Sequence, residues 1–93
     1  IDSYIIGPYD LTGSMGIVGE FNNSNYLNNL NIIKKSAAKN GIKSGIHVVN
    51  PEVDQLKNAI NEGYEFIAYG TDALLMYNKC KTDLDSLKSC KAK

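Results

Sequence analysis

Asp10 is the residue of this chain best placed to do chemistry. It stands in IIGPYDLTGSMG (5–16), where an apolar run ends at Gly7-Pro8 and a carboxylate follows before two more glycines. Gly7 lets a ligand or another backbone approach without a Cβ in the way, and Pro8 stiffens the turn while removing one donor. The amides of Tyr9 and Asp10 can then converge on an anion, and the Asp10 carboxylate can take a hard divalent cation. A turn acid bonded to its own backbone accounts for the same spacing, so both roles stay open.

Two later apolar runs also end in polar residues, at His47-Val48-Val49-Asn50 and Gly70-Thr71-Asp72. Asn50 and Asp72 read as helix caps, and His47, inside its apolar run, reads as a core histidine with a satisfied hydrogen bond. Gly13, Gly16 and Gly19 match neither the dinucleotide fingerprint nor the P-loop, and they do not frame a nucleophilic serine. Ser14 has no His in its loop, which argues against a Ser/His/Asp triad, and Glu20 reads as solvent-facing. Cys80 and Cys90 lack the spacing of a zinc site. On one helix they would stand about 15 Å apart, too far to bridge, and they read as reduced thiols.

Composition narrows the function classes. The chain has 93 residues, of which 43 % are hydrophobic, enough for one small domain whose stability is marginal without a partner. Ten basic residues balance ten acids with no long run of either sign, so there is no electrostatic footprint for nucleic acid or an acidic membrane. The six Tyr are scattered and form no stacking platform for single strands. All the basic residues are Lys. Without the planar fork of Arg, a small anionic substrate must be held by backbone amides, a metal, or residues outside this stretch. Five Asn crowd into NNSNYLNN, read as a solvated loop and helix start. No apolar run approaches the roughly 20 residues of a membrane span and no signal peptide is evident, so a cytoplasmic location is expected.

The elements that must position these residues repeat one grammar. SYIIG (3–7) predicts a strand, followed by a glycine-rich loop and a helix marked by Leu27, Leu30, Ile33, Lys34 and Ala37 that ends at Gly41. GIHVV (45–49) predicts a second strand. Asn50 as N-cap and Pro51 at the first helical position predict a helix with Val53, Leu56 and Ile60 on its apolar stripe and Gly63 closing it. EFIAYG (65–70) predicts a third strand, and Thr71-Asp72 opens a last helix that buries Leu74, Leu75, Cys80, Leu84 and Leu87. The order βαβαβα, with strands that are continuous apolar runs, predicts an α/β fold with a parallel sheet covered by helices. Three such strands leave two open edges, so a larger protein or an association of chains is expected. In parallel α/β folds ligands bind beyond the carboxyl ends of the strands, where all three polar groups fall.

IIGPYDLTGSMG, GIHVV after KNGIK, and FIAYGTDALLM together resemble, in order and spacing, the C-terminal part of the HpcH/HpaI aldolases, a family of class II metal-dependent pyruvate aldolases on a TIM barrel. The resemblance covers essentially the whole chain and rests most on G-P-x-D-L-x-x-S-x-G. It implies that residues 1–93 form a partial (β/α)8 barrel domain holding the sixth to eighth strands, with the last helix closing the barrel or swapping onto a neighbouring subunit. Asp10 then matches the aspartate that ligates Mg²⁺, Mn²⁺ or Co²⁺, and Gly7, Pro8, Tyr9 and Asp10 form the segment whose amides hold the pyruvate carboxylate. The implied reaction makes or cleaves a 4-hydroxy-2-oxo acid from pyruvate and an aldehyde, in a homo-oligomer. The family's second metal ligand, a Glu, together with its Arg and its His/Asp proton-transfer pair, falls upstream of this sequence, so the stretch alone is expected to be inactive or nearly so. A non-catalytic half-barrel module stabilised by self-association is the alternative expectation.

Overall fold

Each apolar run becomes a strand and each periodic segment a helix in the computed structural model, which describes residues 1–90. The elements are β1 (Ser3–Ile6), α1 (Pro8–Ser14), α2 (Ser24–Lys39), β2 (Lys43–Val48), α3 (Val53–Asn61), β3 (Phe66–Tyr69) and α4 (Asp72–Ser89). The strands form a parallel sheet in the order β1-β2-β3. Strands consecutive in sequence are neighbours in space.

Register sorts the side chains onto two faces because successive residues of a strand point to opposite sides. Tyr4 pairs with Ser44, Ile6 with Ile46 and Val48 with Tyr69. This face meets the helices: Ile6, Ile46, Val48, Ala59 and Tyr64 form the core, with Leu30 and Ile33 of α2 packed against it. The opposite face carries Ile5, Gly45, His47, Phe66 and Ala68. Ile5 and Phe66 remain exposed there. The sequence predicts strands covered on both faces, and these three βα units cover one. Helices on one side of a consecutively ordered parallel sheet are the arrangement of a barrel wall, whose inner face is filled by the other strands of the ring.

α2 and α3 end alike. Ile42 N donates to Ala37 O and Gly41 N to Ala38 O, and Tyr64 N to Ala59 O and Gly63 N to Ile60 O. These are paired Schellman bonds, with φ of +67° at Gly41 and +89° at Gly63, a conformation open to glycine.

Two element boundaries and the burial of one helix differ from the sequence expectation. A short helix, α1, starts at Pro8 inside the expected loop, since proline's fixed φ suits a first helical position whose N–H would be unpaired anyway. α3 begins at Val53 with Glu52 as N-cap, not at Pro51 with Asn50 as cap. The Glu52 carboxylate collects Asn50 Nδ2 at 2.8 Å and Gln55 Nε2 at 3.2 Å, and Glu52 N reaches Asn50 O at 2.8 Å, so Asn50 and Pro51 belong to a tight turn ahead of the helix. α4, expected to bury Leu74, Leu75, Cys80, Leu84 and Leu87, has no buried residue. It projects from the sheet and helps stretch the molecule to 63 × 27 × 20 Å.

Candidate functional site at the carboxyl ends of the strands

The end of β1 is built around Gly7. It is the N-cap of α1, with φ −96° and ψ 101°, and has no side chain with which to cap the helix. Leu11 N makes the first helical bond, to Gly7 O at 2.9 Å. Pro8 has no N–H, so the first turn leaves the amides of Tyr9 and Asp10 as its free donors. Asp10 sits in that turn, where the helix dipole favours a negative group. Its carboxylate folds back over Gly7: a Cβ there would lie 2.8 Å from Asp10 Oδ2. The glycine is needed for this close approach, since its backbone angles are open to any residue. Tyr9 and Asp10 are both exposed residues.

Thr12 holds this corner in place, a role the sequence reading missed. It is wholly buried, at 0 % exposure. Its hydroxyl donates to Pro8 O at 2.8 Å and accepts from Gly19 N at 3.0 Å, tying the first turn of α1 to the glycine loop that follows. A threonine one helical turn after the proline was the available signal, because a helical hydroxyl can bond the carbonyl four residues back.

The other two strand ends are occupied by structural bonds. His47 Nε2 lies 2.7 Å from Gly70 O, joining β2 to the turn after β3, as expected of a satisfied histidine. Thr71, and not Asp72, is the N-cap of α4, accepting from Leu74 N at 3.2 Å; Asp72 is the first helical residue, and its Oδ1 accepts from Ala73 N at 2.8 Å. Ser14 donates to Leu11 O at 2.7 Å, a helical back-bond with no histidine partner. Cys80 and Cys90 are exposed free thiols.

Asp10 suits a hard cation as a single oxygen ligand. Such an ion takes about six or more oxygens, and among the described residues no group of three or more His, Cys, Asp or Glu side chains converges. The remaining ligands of any metal here must come from solvent, substrate or other sequence.

No family model matches the chain. Over 89 residues it is 28 % identical to a hydroxypyruvate/pyruvate aldolase of Paraburkholderia phytofirmans, spanning 96 % of this chain and 34 % of that protein. Its fold resembles that of an HpcH/HpaI aldolase from Desulfitobacterium hafniense, with a TM-score of 0.84, 17 % identity and coverage of 99 % of this chain and 35 % of the other. It also resembles an HpcH/HpaI aldolase/citrate lyase family protein from Burkholderia cenocepacia, with a TM-score of 0.87, 19 % identity and coverage of 96 % and 34 %. The chain therefore spans about a third of the length of the proteins it matches. The three-stranded βαβαβα unit has the fold of the C-terminal part of these aldolase barrels.

Proposed function

We propose that this chain supplies part of the active-site mouth of a metal-dependent aldolase that joins pyruvate to an aldehyde, or cleaves the resulting 4-hydroxy-2-oxo acid. The observation that carries the reading is the corner at Gly7, where one carboxylate and two free amides meet beyond the end of a parallel strand. The 28 % identity to a pyruvate aldolase supports it. In this reading the amides of Tyr9 and Asp10 hold the 2-oxo acid's carboxylate, and Gly7 and Pro8 keep the approach clear of side chains. Asp10 is one ligand of a divalent cation, Mg²⁺, Mn²⁺ or Co²⁺, which as a Lewis acid stabilises charge on the keto oxygen when bound. No lysine of this chain is assigned to the reaction, and the proton-transferring groups and further ligands come from sequence beyond these residues.

The test is exchange of the pyruvate methyl protons for deuterium, followed by NMR, with the complete gene product, Mg²⁺ or Mn²⁺, and the Asp10→Ala variant. Exchange that requires both the metal and Asp10 is expected. A folded protein with no exchange above the metal-only blank would limit the relationship to the fold.

A second reading, a non-catalytic half-barrel module held by self-association, is favoured by the bare sheet face around Ile5 and Phe66 and by the unburied helix α4. It makes no use of Asp10, so it predicts that Asp10→Ala changes nothing.

A further inference from the structure

The helix-covered side of the sheet contains a cleft of about 360 Å³ between α2 and α3, over β2. It adjoins the corner described above, sharing Pro8 and Tyr9 with it, but Asp10 does not line it. Three aromatic residues line it: Tyr9, Phe21 and Tyr26. The Tyr9 and Phe21 rings meet edge to face at 5.0 Å, and Phe21 and Tyr26 lie 5.8 Å apart. Tyr26 is 3 % exposed, so its part of this wall is buried. The facing wall is formed by α3 and the turn before it, with Asn50, Gln55, Asn58 and Glu62.

The charge of this lining is one-sided. No Lys lines the cleft, and Glu62 is its one formally charged residue among the described ones. His47 is also a lining residue, but its side chain belongs to the opposite face of the sheet, where Nε2 is tied to Gly70 O. Asn50 and Gln55 each commit an amide proton to the Glu52 carboxylate. That shifts the balance of what they offer towards their carbonyl oxygens. Anionic ligands find no counter-charge in this lining, whereas a cation meets aromatic rings, side-chain carbonyl oxygens and a carboxylate. An ammonium already sits beside Glu62, at the edge of this helix pair. Lys34 Nζ donates to Glu62 O and lies 4.7 Å from the centroid of the Tyr64 ring.

We infer that the cleft between α2 and α3 binds a small organic cation of the alkylammonium type, with Tyr9, Phe21 and Tyr26 as its aromatic wall and Glu62 as its counter-charge. The volume suits such a ligand, since small-molecule sites begin at about 300 Å³. Burial first, and then the Glu62 carboxylate, raise the Tyr26 phenol above its usual range. The hydroxyl beside the ligand therefore stays neutral.

The probe is choline, titrated into the intact protein and followed by amide NMR shifts. Two controls run beside it: its uncharged carbon isostere, with a tert-butyl group in place of the trimethylammonium, and glucose. Saturable shifts centred on Phe21, Tyr26 and Asn58 are expected, with choline at least about fivefold tighter than the isostere. Glu62→Gln and Phe21→Leu should each weaken choline by a similar factor. Equal binding of the isostere, preference for glucose, or no saturable shift in the unmodified protein would overturn the assignment, and those comparisons do not depend on any variant folding. Because Asp10 takes no part, Asp10→Ala should leave choline binding intact whether or not it abolishes pyruvate exchange.

Discussion

At Gly7 one hydrogen atom in place of a methyl group separates an open site from a blocked one. The backbone angles there suit alanine, yet its Cβ would fall 2.8 Å from Asp10 Oδ2. Gly7→Ala should therefore leave the melting temperature within a few degrees of the parent and still displace the carboxylate. In the full-length protein, pyruvate exchange should fall by about tenfold or more, the loss expected when a metal ligand or its support is disturbed. Unchanged exchange would remove Asp10 from the metal. Tyr64 illustrates a different residue-scale effect. Its hydroxyl is buried without a hydrogen-bond partner. Burial, then the charge of Glu62, then Tyr4 and Tyr26, push its pKa from 10.0 to about 12. A folded-state pKa above the unfolded one favours the neutral phenol, so its contribution is intact below pH 10 and is lost as pH rises through about 12. Tyr64→Phe should flatten that alkaline loss in denaturant midpoints measured across pH. At neutral pH it should leave stability unchanged or raise it by up to about 1 kcal/mol, because no hydrogen bond is removed. A clear loss at neutral pH would mean that the hydroxyl is bonded.

At the scale of elements, the site depends on how α1 is anchored. Thr12 joins Pro8 O to Gly19 N from a fully buried position. Thr12→Val keeps the shape and removes the hydroxyl's bonds, leaving Gly19 N without this partner at a cost of about 1–3 kcal/mol. The expected signature in hydrogen exchange is faster exchange at Gly19 and through the 15–22 loop, with β2 little changed, and Thr12→Ser should restore protection. Uniform loss across the sheet would instead make Thr12 a general core residue. The helix starts follow the same logic of local bonding. Thr71 became the N-cap of α4 as its residue type suggests, whereas the Asn50-Pro51 pair lost that role to Glu52, whose carboxylate gathers Asn50 and Gln55.

At the scale of the molecule, the sheet has one finished face and one bare one. Gly45 records how the bare face is filled: a Cβ there would lie 2.2 Å from Phe66 Cζ, so the Phe66 ring rests directly on the strand. Ile5 and Phe66, at 50 % and 39 % exposure, carry the apolar surface on that side. If the 93 residues are prepared alone, this surface and the open edges of β1 and β3 should drive association. The double substitution Ile5→Lys with Phe66→Lys should shift sedimentation velocity profiles towards monomer. A monomeric parent chain would argue against the self-associated module.

The sequence by itself determined what depends on neighbours in the chain. It determined the number and order of the strands and of the three longer helices, the glycine stops at Gly41 and Gly63, the start of α4 at Thr71-Asp72, and the concentration of polar residues after each apolar run. Those features follow from backbone dihedrals, side-chain periodicity and short-range hydrogen bonds, which act over a few residues. Tertiary structure decided what depends on distant atoms. It placed Thr12 between Pro8 and Gly19, tied His47 to Gly70 and laid Phe66 on Gly45. It also left α4 unburied although its leucines recur at helical spacing, because periodicity marks which face can be buried and burial needs a surface to receive it. The folding of the Asp10 carboxylate over Gly7 lies between the two scales, written in the spacing of GPYD and settled only when Pro8 started a helix.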